Sequence, residues 1–138
     1  MLGPNLAIHP FSGFKQDDPL FMKHCARSRE WAAVTAACML TGRELFTKMG
    51  GFDENHFAIA YNDVDYCLRL GAEGLSSWVT PDATLYHYES ASRGNDVVSW
   101  FTNPIRYYGF LREKRALRDR WKDMIANDSH YDASFLRK

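Results

Sequence analysis

The chain has 138 residues, 46% of them hydrophobic and 25% charged, and its 17 basic and 17 acidic side chains leave a formal net charge of zero. That length and balance suit one soluble globular domain, and a neutral chain has no overall field to draw it onto nucleic acid or an anionic bilayer. Cys25, Cys38 and Cys67 form no C-x-x-C pair and argue against a disulfide framework or cysteine zinc site. No window reaches the roughly 18 continuous apolar residues of a membrane span, and the N-terminus lacks a signal-peptide layout, so the expected location is cytoplasmic.

Residues 1–30 carry Gly3, Pro4, Pro10, Gly13 and Pro19 with little periodicity and read as an irregular arm. The apolar run WAAVTAACML, residues 31–40, is predicted as a buried central strand, with a helix as the alternative that periodicity leaves open. Thr41 and Glu44 form a capping box for a short helix that ends at Gly50-Gly51. Asn62 is expected to cap a second helix, lined on one side by Val64, Cys67, Leu68 and Gly71 and ending near Gly74. Leu75–Thr80 and Thr84–Tyr88 read as extended segments around a Pro81-Asp82 turn. Asn103-Pro104 then opens a helical tail patterned on Tyr108, Leu111, Leu117, Trp121, Met124 and Ile125. This gives an arm over 1–30, a central unit over 31–94 and a helical extension over 95–138.

The segment YNDVDYCLRL, residues 61–70, sets two carboxylates at a helix start. In the plainer reading Asp63 and Asp65 complement the helix dipole and Asp65 pairs with Arg69 four residues on. In the functional reading Asp63 faces a cleft and takes a proton from a substrate hydroxyl as a general base. His87 in LYHYES lies 24 residues later and would return past the helix start if the intervening strands pair.

Taken together, VTAACMLTGRELFTKMGGFDE, YNDVDYCLRL and WVTPDATLYHYESASRG resemble the family 2 glycosyltransferases of bacteria, in that order and spacing, over about residues 31–94. The resemblance implies an α/β fold: part of a GT-A, Rossmann-like domain with a mixed sheet, flanking helices and a helical C-terminal tail. It implies transfer of a sugar from a nucleotide-sugar donor to a glycan or lipid-linked acceptor, with inversion. Asp63 is then the catalytic base and His87 helps to ligate a divalent cation, Mg²⁺ or Mn²⁺, suited to the charge developing on a departing diphosphate. Asn62 departs from the commoner glutamate-aspartate pair while keeping a capping side chain.

The same resemblance sets GGFDE beside the acceptor pocket, where Asp53 would bond an acceptor hydroxyl, although helix termination explains the glycines equally well. Asp65 and Arg93 are further acceptor candidates, and Arg93 reads as well as a solvated loop residue. Trp78 and the tyrosines at 61, 66, 86 and 88 offer stacking surfaces or core. Residues 105–125 hold seven basic and three acidic side chains, a face for anionic headgroups or a solvated outer surface. Nothing before Ala33 resembles the donor half of such enzymes, with its D-x-D-like motif. The expectation is therefore a fragment of a longer enzyme, inactive alone and prone to self-association through its uncovered face. A glycan- or protein-binding module that keeps the fold is the rival, and a hydrolytic metal site of Asp63, Asp65 and His87 is a third reading.

Overall fold

A computed structural model describes residue 2, residues 6–85 and residues 103–136. His87 and Arg93 lie outside these, as does most of the second expected extended segment, of which Thr84 and Leu85 are described and belong to no strand.

The arm contains more order than its prolines suggest. Helix α1, Pro19–Cys25, opens on Asp18, whose side chain accepts the Leu20 N–H at 2.9 Å, with Pro19 in the first turn where a missing N–H costs nothing. Strand β1, Arg29–Trp31, pairs antiparallel with β2, Ser77–Val79, in the register Glu30 to Trp78. This two-stranded pair is the sheet found among the described residues, and its combination with helices is compatible with an α/β fold.

The expected central strand over 31–40 contains Trp31 alone. The chain continues into a 3₁₀ turn at Ala36–Cys38, and residues 35–38 are exposed. Alanine and threonine carry too little apolar area to hold a strand inside, and the backbone finds side-chain partners instead. Thr35 accepts the Ala37 N–H and Asp63 accepts the Ala36 N–H.

Helix α2, Arg43–Lys48, starts on Gly42 without a side-chain cap. The expected capping box does not form because the Thr41 hydroxyl bonds the phenol of Tyr66 at 3.0 Å, and a buried phenol needs such a partner. The predicted stop holds: Gly50 and Gly51 have φ of +79° and +66°, and the Gly51 N–H reaches back to the Phe46 carbonyl at 2.8 Å.

Helix α3, Asn62–Ala72, carries the candidate base. Its N-cap is Tyr61, left-handed at φ 65°, and not Asn62, whose side chain accepts the Asp63 N–H. Gly74 follows its end with φ +74°. The tail is helical as expected: α4, Pro104–Arg120, starts on Asn103, which accepts the Arg106 N–H, and breaks at Trp121 before α5, Lys122–Ala126. No helix among the described residues is long and apolar enough to cross a membrane.

Two apolar clusters hold these elements. Leu2, Leu6, Phe57, Val64, Leu68 and Leu117 form one, joining arm, α3 and α4. Phe11, Trp31 and Phe135 form the other, and the Phe11 N–H bonds the Phe135 carbonyl at 2.9 Å. Leu68 is 1% exposed and Leu40 fully exposed. Leu68→Ala should cost about 2–5 kcal/mol through lost transfer energy and a cavity, whereas Leu40→Ala should stay within about 0.5 kcal/mol. Urea unfolding followed by circular dichroism measures both.

Candidate functional site

Three elements build the site: the first turns of α3, the turn between α2 and α3, and the C-terminal end of α4. Asp63 sits half-buried in the first turn of α3. Its Oδ2 accepts the Ala36 N–H at 2.9 Å and its Oδ1 the Val64 N–H at 2.8 Å. The carboxylate is thereby oriented, and each oxygen keeps a second lone pair for a further donor. An oriented, partly exposed carboxylate is a competent proton acceptor for a hydroxyl brought to it.

Asp65, two residues on, has no solvent exposure. Its Oδ2 takes Arg69 Nε at 2.9 Å, and its Oδ1 takes Arg120 Nη1 at 3.0 Å and Trp121 Nε1 at 2.9 Å. The Asp65–Arg69 pair is the one expected from their spacing, and these three donors take up both carboxylate oxygens away from solvent. Its neighbours carry the connection outward. Arg69 donates to the carbonyl of Met49 and, at 2.6 Å, to that of Gly51, while Arg120 Nη1 also reaches Asp53 Oδ2 at 2.9 Å. The GGFDE turn is thus fastened to α3 and α4 by two guanidiniums.

An open cleft of about 470 Å³ lies over that turn, lined by Met49, Gly50, Phe52, Asp53, Glu54, Asn55 and Arg69. Asp53 lines this cleft, and much of its carboxylate is engaged: it accepts the His56 N–H at 3.2 Å and bonds the His56 ring at 2.8 Å, besides Arg120. Burial works against its charge, but the hydrogen bonds from Arg120 and His56 outweigh burial and hold its carboxyl down to about 2. Burial equally opposes the charge on Arg120, and its bonds to Asp53 and Asp65 raise it above the usual value. A second cleft, of about 590 Å³, runs between the β strands, α3 and α5 past Trp31, Cys67 and His130. Asp63 lines neither cleft.

Among the described residues no three His, Cys, Asp or Glu side chains gather into a metal site. Asp63 turns toward Ala36 and Asp65 toward the two arginines, so these two do not converge as the hydrolytic reading requires.

Sequence reasoning missed the contribution of α4. Glu113 is 1% exposed and accepts N–H bonds from Ala58, Ile59 and Ala60 at 2.8–3.1 Å, in the loop leading into α3. A signal was present: Glu113 interrupts the helical stripe of Phe110, Leu117 and Trp121, where an acidic residue must find buried donors.

Because the Asp53 carboxyl is lowered from 3.8 to about 2, the stability it contributes is complete above the unfolded value and is lost as pH falls through the folded one. Asp53→Asn should flatten the fall in stability between pH 3.8 and about 2. An acid-unfolding curve as steep as that of the unaltered chain would contradict the Arg120–Asp53–His56 clamp.

No family model matches the chain. No solved structure matches it. Over 104 residues, 75% of this chain, it is 38% identical to Uncharacterized protein y4gI of Sinorhizobium fredii, the match covering 11% of that protein. It is 44% identical over 75 residues, 54% of the chain, to the O-antigen biosynthesis protein RfbC of Myxococcus xanthus, of which this is 6%. It is 38% identical over 66 residues, 48% of the chain, to the N-acetylglucosaminyl-diphospho-decaprenol L-rhamnosyltransferase of Mycobacterium tuberculosis, of which this is 21%. The chain thus spans a small part of the curated relatives it matches, and over about half its own length it is similar to proteins named for sugar transfer and O-antigen biosynthesis.

Proposed function

We propose that the chain is the acceptor-side segment of an inverting, family 2, GT-A-type glycosyltransferase, with Asp63 as its catalytic base. The observation that carries this reading is the coupling of α3 to the GGFDE cleft. The helix that presents Asp63 is pinned through Asp65, Arg69 and Arg120 to the turn lining the cleft, so base and cleft keep a fixed relation. General base catalysis requires a proton acceptor held in a fixed relation to its substrate, and this linkage supports the reading although Asp63 itself lines neither cleft.

In this reading an acceptor hydroxyl gives its proton to Asp63 as its oxygen attacks the anomeric carbon of a nucleotide-activated sugar. The new C–O bond forms opposite the breaking bond to the nucleoside diphosphate, which leaves with that electron pair, and the configuration inverts. Donor binding is assigned to other sequence of a longer enzyme, in keeping with relatives that extend well beyond the matched stretch. The name of the mycobacterial relative makes L-rhamnose the first sugar to try and a diphospho-polyprenol-linked sugar the first acceptor.

Asp63→Asn in the complete protein should lower the transfer rate by about 10²–10⁴-fold. Asn keeps one oxygen for the Ala36 N–H and turns its NH₂ toward the Val64 N–H, so a thermal melt run beside the assay separates lost catalysis from lost folding. Transfer at the unaltered rate would sink the base assignment and favour a non-catalytic binding module.

A divalent cation, Mg²⁺ or Mn²⁺, with His87 among its ligands, belongs to the same proposal; bound beside the donor, it would supply charge stabilisation for the departing diphosphate. The described residues bring no ligand cluster together. Chelation should abolish transfer, and His87→Ala should raise the Mn²⁺ concentration needed to restore it. Full turnover in excess chelator would remove the cation from the account.

A further inference from the structure

The helix that presents Asp63 is entered through an unfavourable backbone. Tyr61 has φ 65° and is not glycine, a left-handed conformation that is unfavourable for an L-residue and persists only where its surroundings enforce it. The enforcing groups lie on α4. Glu113 Oε1 accepts the N–H groups of Ala58 and Ile59, both at 3.1 Å, and Oε2 those of Ile59 at 3.1 Å and Ala60 at 2.8 Å. Three consecutive amides therefore converge on one buried carboxylate immediately before Tyr61. The Tyr61 ring in turn stacks on Phe110, three residues before Glu113, with centroids 5.6 Å apart and planes 27° apart. Gly109 faces the same loop, where a Cβ would stand 2.5 Å from Ile59 Cδ1, the far end of a side chain that could turn aside.

From this we infer that Glu113, supported by Phe110, is a positioning residue that sets the direction in which the chain enters α3 and hence where the Asp63 carboxylate points. The inference rests on Asp63 being the base. Glu113 touches no substrate. It acts by fixing the amides of residues 58–60, which fixes Tyr61 in its left-handed state and places the first turn of α3.

Glu113→Gln keeps the side-chain volume but turns an NH₂ group toward amides that are themselves donors, so the nest opens without a cavity. In the complete protein, hydrogen exchange read by mass spectrometry on peptides spanning 57–64 should quicken about tenfold or more at the 58–60 amides. The value of kcat should fall about 10²-fold, as for a small misplacement of a catalytic group, with the KM for donor within about twofold because donor contacts are untouched. Phe110→Leu should move both readouts in the same direction by less, and replaces the Gln variant if that does not fold. Unchanged exchange at 58–60 overturns the brace, and faster exchange with unchanged kcat overturns its role in positioning. Full activity of Asp63→Asn, by contrast, refutes the base assignment on which this rests, whatever Glu113→Gln does to exchange.

Discussion

A carboxylate with no solvent exposure, Asp65, organises this molecule. Removing a carboxylate from water costs several kcal/mol even after relaxation, and the cost is offset only where donors meet every oxygen. Arg69, Arg120 and Trp121 do so, and they come from two helices. Each guanidinium has more N–H groups than one carboxylate can use. The surplus goes to the carbonyls of Met49 and Gly51 and to Asp53, so one buried charge dictates how α3, α4 and the GGFDE turn sit against one another. The cations stay 21% and 32% exposed, so the buried partner is the anion while the charged heads of the arginines reach toward the surface.

The same arrangement accounts for the character of the cleft. Asp53 and Arg69 line it, yet their charges are largely satisfied within the protein. Such a surface offers an incoming ligand backbone groups and the unspent side chains of Glu54 and Asn55 more than a strong field. That suits a neutral, hydroxyl-rich molecule better than an anionic one, because a phosphate would seek an unpaired guanidinium.

The features legible in the sequence are those decided by near neighbours. The glycine stop after α2, the Asn103-Pro104 helix start, the turn at Pro81-Asp82 and the Asp65–Arg69 pair all depend on residues within a few positions of one another. The failures share a cause in distant partners. Thr41 would cap α2 were it not claimed by Tyr66, and WAAVTAACML reads as a strand until Asp63 takes the Ala36 amide. Asp65 looks like a surface acid at a helix start, and only Arg120 and Trp121, 55 and 56 residues away, put it inside. The position of Asp63 at the start of α3 was legible from motif spacing. The means of holding it there, through Glu113 and Arg120, was not, because those residues lie outside the motifs of residues 31–94 and meet the start of α3 only in the folded chain.

Motifs over residues 31–94 suggest a compact centre with an arm before it and a helical extension after it. Physically the three parts share one interior: Leu2 and Leu6 pack with Leu68 and Leu117, and Phe11 packs on Phe135. A chain cut after the last motif would leave Asp65 buried without Arg120 and Trp121, and breaking a buried pair costs about 3–5 kcal/mol, much of the stability of a small domain. The amides of residues 58–60 would lose their acceptor as well, and with it the constraint on Tyr61. The C-terminal helix therefore belongs to the candidate site as much as the motif that names it, since the carboxylate at the mouth of α3 is only as well placed as the helix bracing it.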